Sequence, residues 1–467
     1  MGSTGGSFHG VTDAVAVAAV RNGLTSVAPA GAKVVLAVSG GRDSVGMACL
    51  ITAARPDLEA AVVHVRHGLR DDATDAAAAQ ACATALGLPC RVESVAVLAD
   101  GTGPENAART ARLGVLANVA QEVGAAIVMT GHTADDQAET VLMNLARGAG
   151  LAGLAGIPAV RSLAPGVRLL RPVLDLRRDA VRGVAAASGL PVVDDPTNDD
   201  QAQPRAIARS RLLPLLQQLT GGGSDPVAAL ARLAGHARSE VAVLDTLAAE
   251  IAQQLLARWA CIVTVEASKL DALPGAIALR VLRQMVSQAG AVSSLSEASF
   301  EGLRRLADGQ SLTLSGGLLA ARGGGWLAVS PSRPPLPARP VGEEGVALPE
   351  IGLMLHRETS RASGSLPPWA PVRAVSAVPV AGDTALVVRS RQPGDRIRTA
   401  AGTQLLADAM ISAGVPRLAR DLLPVVTDER GPLWVPGVAV RAAAVAAAGE
   451  RHLRFGPLAA PVGLPAW

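Results

Sequence analysis

The stretch that decides the fold is KVVLAVSGGRDSV, residues 33–45, where an apolar β-branched run leads directly into two glycines and an apparent helix. This pattern predicts a buried strand over 33–38 and a helix over 44–54. A glycine turn at the head of a helix presents backbone N–H groups to an anion, most often a phosphate. We therefore expect a phosphate-binding loop at this position.

The loop contains no lysine, so it is not a Walker A motif, which requires Gly-Lys-Ser/Thr. An arginine, an acid and a serine follow the glycines instead. Phosphate is therefore expected to contact backbone N–H groups and hydroxyls. The predicted phosphate-binding residues are Ser39, Gly40, Gly41, Arg42, Asp43 and Ser44.

Asp43 needs a separate explanation, because a carboxylate repels a phosphate unless a cation lies between them. Magnesium binds carboxylate and phosphate oxygens together, so Asp43 is the predicted magnesium residue. The alternative is that Asp43 or Ser44 only caps a helix after a tight turn. The strand–loop–helix context favours the functional interpretation.

Downstream of the loop, strand and helix patterns alternate. Further strands are expected at 60–65, 91–95 and 125–131, and helices at 72–87 and 104–122. This alternation predicts an α/β fold with a doubly wound parallel sheet. Ligands of such sheets bind at the carboxyl ends of the strands, where both the glycine loop and the segment GHTADDQAET (131–140) lie.

The remainder of the chain changes character. A helical pattern follows the loop TGGGSDP (220–226), a short β-like piece lies at 311–330, and PSRPPLPARP (331–340) is typical of a stiff linker. The C-terminal part has short β-type runs and predicts a small mixed α+β domain. The expected units are 1–219, a nucleotide domain; 220–330, a helical substrate-binding domain; 331–340, a linker; and 341–467, a C-terminal domain.

Composition excludes some classes of function. The chain has no tyrosine and three phenylalanines, so stacking of bases on aromatic side chains is not its main binding mode. Only Lys33 and Lys269 are lysines among 43 basic residues, and the net charge is +3. Local arginine clusters are therefore better evidence for phosphate binding than overall charge.

The cysteines and the apolar runs predict a location. The four cysteines form no CxxC pair and no metal-ligand spacing, which favours free thiols in a reducing compartment. No apolar run approaches the ~18 residues that span a membrane. The opening MGSTGGSFHG lacks the features of a secretory signal. We expect a cytoplasmic protein that has no membrane partner.

The loop SGGRDS (39–44) resembles the PP-loop of the N-type ATP pyrophosphatases, which split ATP between its α and β phosphates. The resemblance implies ATP and magnesium as cofactors, with AMP and pyrophosphate as products. Further motifs resemble those of the tRNA(Ile)-lysidine synthetases: HVRHGLR (64–70), ENAARTAR (105–112), GHTADDQAET (131–140), LARGAGLAGLAGI (145–157), RPVLDLRR (171–178), DDPTND (194–199), RAIARSRLLPLL (205–216), SRQPGDRIR (390–398), ISAGVPRLARDLLPVV (411–426) and LWVPGVAV (433–440).

This second resemblance covers most of the chain and is weakest over 225–380. It implies that the enzyme adenylates the carbonyl oxygen of the wobble cytidine in a CAU-anticodon tRNA(Ile). Free lysine then displaces AMP and gives lysidine. The implied partners are this tRNA and free lysine, and a homodimer is compatible with the sequence.

A set of polar residues in the segment 131–140 is predicted to bind lysine or to support the metal: His132, Asp135, Asp136 and Glu139. Asp135 and Glu139 are four positions apart and share a helix face. Carboxylates there suit a cationic substrate, a metal or the proton of an attacking amine, which must be neutral to react. The alternative is that these acids only stabilise a first helical turn.

Three arginines are further candidates. Arg109 and Arg112 share one helix face, where guanidinium groups suit charge that develops on a phosphate. The alternative for Arg109 is an i,i+4 pair with Glu105, worth only about 0.3–0.5 kcal/mol. The resemblance favours catalysis for Arg109 and Arg205, and Asp43 and Asp136 complete the predicted catalytic set. Arg112 is predicted to bind tRNA, and a purely structural role explains it equally well.

Four C-terminal arginines alternate around the Gly394-Asp395 turn and are predicted to bind tRNA phosphates: Arg389, Arg391, Arg396 and Arg398. A solvated charged face explains this pattern equally well. The chain also departs from the family pattern at Gln203, Ala206 and Leu113, and the segment QLLADAM (404–410) has no lysine. These departures bear on the binding of tRNA rather than on the activation of ATP.

Three other functions fit parts of this pattern. A PP-loop sulfur transferase requires paired cysteines, which the sequence lacks. A small-molecule amide ligase does not require the arginine-bearing C-terminal domain. A non-catalytic tRNA-binding relative would explain the departures, but the intact SGGRDS and DDQxxET argue against loss of activity.

Overall fold

The computed structural model describes residues 13–66, 73–95, 104–193, 203–290, 295–359, 364, 366–370, 376–380, 384–442 and 451–458, without the side chains of 104–106. The segment DDPTND (194–199) and residues 67–70 of HVRHGLR lie outside the described residues. The chain divides into two compact units, Met1–Ala242 and Val243–Trp467.

The first unit is built on a six-stranded sheet in the order β3-β2-β1-β4-β6-β5. Its strands are β1 Lys33–Ala37, β2 Glu59–Arg66, β3 Cys90–Ser94, β4 Ile127–Met129, β5 Val160–Ala164 and β6 Val167–Leu170. All neighbouring pairs are parallel except β5 with β6. The predicted parallel sheet is confirmed.

Helices cover both faces of this sheet. They are α1 Ala14–Thr25, α2 Arg42–Ala54, α3 Ala73–Ala85, α4 Pro104–Glu122, α5 Ala134–Ala146, α6 Leu151–Leu154, α7 Arg178–Ala187, α8 Pro204–Ile207 and α9 Leu213–Leu219, with a π-helical turn Ala208–Leu212 before α9. Val34 and Leu36 pack into one core with α2 and α7, whereas Val35 packs with α4 on the opposite face. The two-residue period of a strand thus sends side chains into two cores, as a doubly wound sheet requires.

Close contacts of glycines fix the elements around the phosphate loop. A Cβ at Gly46 would lie 2.2 Å from the Val181 carbonyl, so only glycine lets α2 and α7 pack this closely. A Cβ at Gly131 would lie 2.8 Å from the Asp43 carbonyl, which brings the end of β4 against the start of α2. Both glycines therefore determine which side chains meet at the carboxyl edge of the sheet.

The second unit combines helices with four antiparallel sheets. Helix α10, Pro226–Leu255, begins in the first unit; α11 Ala267–Asp271, α12 Gly275–Gln288, α13 Glu297–Arg304 and α14 Leu406–Ser412 follow. The first sheet contains β7 Ala257–Trp259, β8 Ile262–Glu266, β9 Ser311–Leu314, β10 Leu318–Gly323 and β11 Trp326–Pro331 in the order β7-β8-β11-β10-β9.

The other three sheets lie further along the chain. Their strands are β12 Arg339–Pro340, β13 Gly345–Leu348, β14 Leu353–Glu358, β15 Ala377–Val380, β16 Val387–Arg389, β17 Arg396–Thr399, β18 Gly402–Leu405, β19 Val425–Asp428, β20 Gly431–Val435, β21 Ala439–Val440 and β22 Arg451–Pro457. The orders are β12-β16-β19-β20-β21, β13-β14-β22-β15 and β17-β18. The expected mixture of helix and strand in the C-terminal part is confirmed.

Two details differ from the sequence-based expectations. The hairpin β7–β8 interrupts the segment that was expected to be helical. The sequence does not indicate this turn, because Ala260 at φ 56° occupies a position where glycine is usual. The linker 331–340 ends in β12, which pairs with β16. The division into four predicted segments stays a prediction.

Candidate active site

A cavity of about 360 Å³ opens at the carboxyl edge of the first unit's sheet. It is lined by the ends of β1, β2, β4 and β6 and by residues of α2, α4 and α7. Its charged lining residues are Arg42, Arg109, Arg112, Arg171, Arg182, Arg205, Asp43, Asp75 and Asp136. Arginines outnumber aspartates two to one in this lining, so the cavity favours an anionic ligand.

The glycine loop forms one end of the cavity. Gly40 has φ 86°, and a Cβ there would lie 2.6 Å from the Asp75 carbonyl, so the turn requires glycine. The Ser44 hydroxyl accepts the Ser39 N–H at 3.1 Å and donates to the Gly41 carbonyl at 2.9 Å. Both serine hydroxyls thus stabilise the turn and lie at the cavity wall.

Helix α2 begins directly after this turn, with Gly41 at its N-cap and no side-chain cap. The N–H groups of its first turn therefore point toward the cavity end without a capping side chain. Of the six predicted phosphate-binding residues, all but Gly40 line the cavity. Their contacts with phosphate stay predictions.

Asp43 lies in the first turn of α2 and lines the cavity. Arg182 donates to both of its carboxylate oxygens, at 2.8 and 3.2 Å, and Arg178 Nε lies 3.8 Å away. A carboxylate offers about four lone-pair sites, so this pairing leaves sites for a metal. Among the described residues no group of three or more His, Cys, Asp or Glu could hold a metal ion. One carboxylate nevertheless fits magnesium that is bound mainly by phosphates and water.

The acids of α5 converge on Arg178, the first residue of α7. Arg178 donates to Asp136 and to Glu139, at 2.9 Å each. Glu139 is 1% exposed, and its Oε1 also accepts from Arg209 at 2.9 Å. Its Oε2 has no hydrogen-bond partner among the described residues. Burial lowers the pKa of Arg178, but the two carboxylates raise it by more, so the guanidinium stays charged.

Only part of the predicted lysine set reaches the cavity. His132 and Asp136 line it, whereas Asp135 and Glu139 do not. Asp135 accepts from Arg177 at 3.3 Å and from the backbone N–H of Arg178 at 2.7 Å. Asp135 thus connects α5 to α7 behind the cavity.

The surroundings of His132 keep it neutral. Burial lowers its pKa to about 3; Asp136 opposes this shift, and Arg171, Arg109 and Arg205 reinforce it. The pKa of Asp136 is also lowered: burial raises it, but the charge of Arg178 and the Thr133 N–H outweigh that effect. A neutral imidazole therefore lies beside an ionised carboxylate at neutral pH.

The predicted Arg109, Arg112 and Arg205 all line the cavity. Four functionally placed arginines were not predicted: Arg171, Arg178, Arg182 and Arg209. Two of them lie within the quoted motif RPVLDLRR (171–178), and Arg171 directly follows the buried run Val167–Leu170 at the ligand edge. The position of an arginine directly after a strand, at the ligand edge of the sheet, could have identified Arg171 as a site residue.

The C-terminal arginines fall into two groups. Arg389 donates to both oxygens of Asp395 at 2.8 Å, and Arg391 pairs with Asp421 at 2.8 Å. Arg396 and Arg398 are exposed on one face of β17, while Ile397 between them is fully buried. The expected alternation is therefore present for Arg396 and Arg398, and Arg389 stabilises the turn. Phosphate binding by any of the four stays a prediction.

Comparison with known proteins decides the family. A PP-loop domain model matches residues 17–216, and a TilS substrate C-terminal domain model matches residues 386–455. A tRNA(Ile)-lysidine synthase of Ralstonia nicotianae is 33% identical over 458 residues, which cover 93% of this chain and 94% of that protein. This chain belongs to the tRNA(Ile)-lysidine synthase family.

A second relative is similar mainly in the N-terminal part. The tRNA(Ile)-lysidine synthase of Leifsonia xyli subsp. xyli is 43% identical over 268 residues, 56% of this chain and 78% of that protein. Both matched models fall on features described above, since the PP-loop domain holds the cavity and the C-terminal domain holds Arg389, Arg391, Arg396 and Arg398. The resemblance inferred from the motifs is thus confirmed at the level of the family.

Among the described residues no helix combines the length and the apolar character needed to cross a membrane.

Proposed function

We propose that the chain ligates lysine to the wobble cytidine of a CAU-anticodon tRNA(Ile), with ATP converted to AMP and pyrophosphate. The observation that carries this proposal is the cavity itself. It joins a lysine-free glycine loop to a wall of arginines, with a neutral His132 and an ionised Asp136 between them. This arrangement suits the transfer of an adenylyl group followed by attack of an amine.

The phosphates of ATP bind at the loop end. Backbone N–H groups of the first turn of α2 and the dipole of that helix favour negative charge there. Ser39 and Ser44 add hydroxyl donors when they turn from their mutual contact of 3.1 Å. Asp43 is the residue that would hold magnesium, which neutralises phosphate charge when it is bound.

The cytidine is activated at the arginine wall. Its carbonyl oxygen attacks the α-phosphorus, the bond to the β-phosphate breaks, and pyrophosphate leaves. Arg109 and Arg205 face the same cavity and supply donors to the charge that develops on the transferred phosphoryl group.

Lysine binds beside α5. Its ammonium groups require acids, and Asp136 faces the cavity while the buried Oε2 of Glu139 lies behind it without a partner among the described residues. Because His132 is neutral, it does not repel a cationic substrate at this place. The attacking amine must lose a proton before it reacts, and the ionised carboxylate of Asp136 is the acceptor that the cavity offers.

The tRNA also needs contacts away from the cavity. Arg112 is exposed at the rim, and Arg396 and Arg398 project from one face of β17. Guanidinium groups on one face suit the phosphates of an RNA backbone. We assign these three to tRNA binding and treat Arg389 as part of the fold.

A sulfur-transfer reaction receives no support from this cavity. Cys49 and Cys82 are fully buried in the core, and no cysteine is among the cavity-lining residues that the structure describes. The acids and arginines of the cavity suit an amine donor instead.

The test is AMP release from labelled ATP with purified chain, lysine and defined tRNAs. We expect AMP only when both lysine and the CAU-anticodon tRNA(Ile) are present. The matched control is the same tRNA with its wobble cytidine replaced by uridine, which should give no AMP. AMP release without tRNA, or with ammonia in place of lysine, would contradict the proposal.

A further inference from the structure

Arg171 is a buried cation in the cavity wall. It directly follows β6 and is 4% exposed, yet it lines the cavity. One guanidinium nitrogen donates to the Pro158 carbonyl. The Nε atom is buried and has no hydrogen-bond partner among the described residues.

No carboxylate pairs with Arg171 within the part of the chain that the structure describes. Its charged neighbours are Arg161 and Arg109, which together with burial lower its pKa to about 10. That value leaves the guanidinium protonated at neutral pH. Buried charges in proteins are normally paired, because leaving water without a counter-charge is costly. This part of the wall is therefore suited to an anionic ligand.

The position of Arg171 indicates which anion it meets. Strand β4 lies between β1 and β6, so Arg171 is two strands away from the glycine loop, roughly 10 Å at the spacing of adjacent strands. The loop holds the end of ATP that leaves as pyrophosphate. Arg171 instead lies among the residues that act on His132, together with Arg109 and Arg205.

We propose that Arg171 binds the phosphoryl oxygens of the adenylyl group, the group that is transferred to cytidine and released as AMP. The inference rests on the proposed function and adds a catalytic residue to it. When the lysine nitrogen attacks the cytidine ring carbon, the carbon–oxygen bond breaks and its electron pair leaves with AMP. One amine proton passes to solvent. Arg171 neutralises the charge that AMP gains in this step.

A purely structural role is the competing explanation. Arg171 would then serve only to hold the Pro158 carbonyl, and its removal would weaken the fold. The two roles differ in the protein without ligands. Removing an unpaired buried charge does not lower stability when an apolar side chain of similar volume replaces it.

The experiment compares Arg171→Met and Arg171→Lys with Arg168→Met in the full chain. Arg168 lies on β6, three residues before Arg171, but is exposed and donates to the Val27 carbonyl at 2.8 Å, so it is the matched control. Thermal unfolding is measured without ligand, with AMP and with pyrophosphate. The turnover of AMP release is measured in parallel.

For Arg171→Met we expect an unfolding temperature no lower than that of the unmodified chain. The AMP-induced rise in that temperature should be lost, the pyrophosphate-induced rise retained, and kcat reduced about 100-fold. Arg171→Lys should recover only part of the turnover, because an ammonium lacks the planar fork. Arg168→Met should resemble the unmodified chain.

A lower unfolding temperature for Arg171→Met with an unchanged AMP effect would overturn the assignment. Failure of the proposed function has a different signature, since the unmodified chain itself would then release no AMP with lysine and tRNA. The AMP-induced shift in unfolding temperature still decides the role of Arg171 in that case.

Discussion

Two buried arginines seven positions apart have opposite surroundings. Arg178, at the start of α7, is bonded to Asp136 and Glu139 and has Asp43 within 3.8 Å. Arg171, at the end of β6, has only arginines as charged neighbours among the described residues. The pKa of Arg178 is raised and that of Arg171 is lowered. We therefore expect Arg178 to stabilise the protein and Arg171 to bind a ligand.

The largest expected effect is the loss of stability when the paired Arg178 is replaced. Arg178→Met leaves the buried Glu139 and Asp136 without their main counter-charge, so the free energy of unfolding should fall by about 3–5 kcal/mol. Urea unfolding measures it, with Arg171→Met as the matched control that should lose almost nothing. Equal losses in the two variants would remove the distinction between them.

Asp43→Asn tests the predicted magnesium residue, which pairs with Arg182 and lies near Arg178. The amide keeps the shape of the carboxylate but cannot hold magnesium, so the turnover of AMP release should fall about 1000-fold, or ~4 kcal/mol of transition-state stabilisation. Circular dichroism should stay close to that of the unmodified chain, which separates a loss of turnover from a loss of fold. Near-normal turnover would return Asp43 to a role in capping and in pairing with Arg182.

The same contrast extends to the C-terminal unit. Arg389→Met breaks a two-oxygen pair with Asp395, whose side chain is 10% exposed, and should cost about 2 kcal/mol of unfolding free energy. Arg396→Met should cost under about 0.5 kcal/mol, because the side chain is exposed.

For tRNA binding we expect the opposite ranking, in which Arg396→Met has a larger effect than Arg389→Met. Arg396→Met should lower the slope of log affinity against log salt by about 1, as expected when one phosphate contact is lost. Filter binding across a salt series measures the slope. An unchanged slope for Arg396→Met would favour a solvated charged face.

The last prediction is a pH dependence that comes from His132, a residue of the cavity wall. Its folded pKa of about 3 is below the unfolded value of 6.5, so the unfolded chain binds the extra proton between these values. Stability should therefore fall as pH decreases from 6.5 toward 4, and His132→Gln should flatten this fall. Asp136 contributes below that window, because its pKa is lowered from 3.8. Parallel curves for both proteins would show that His132 titrates normally.

The first unit was predictable because its signals are local. A β-branched run before a glycine turn predicts β1 and α2, and the alternation of strand and helix patterns predicts a parallel sheet, although not the order of its strands. The hairpin β7–β8 was not predictable, since Ala260 turns the chain in a conformation that usually selects glycine. Nothing in the neighbouring residues indicates that an alanine adopts this conformation.

Site residues could be predicted from the sequence only where the chemistry of the side chain allows few roles at that position. Asp43 after a glycine turn predicts a metal residue, and the structure places Asp43 in the cavity wall. Its role with magnesium stays a prediction. The different roles of Arg171 and Arg178 depend on which acids fold against them, and pairing across 39 or 42 positions leaves no local pattern. Arg389 illustrates the same limit, because its partner Asp395 was visible only as part of a turn motif.

We propose that one cavity couples adenylation of the cytidine to the attack of lysine. The most direct measurement follows labelled lysine into CAU-anticodon tRNA(Ile) while AMP is counted in the same reaction. We expect one lysine to be incorporated for each AMP released, and nucleoside mass spectrometry should locate it at the wobble cytidine. AMP released without incorporation of lysine would contradict it.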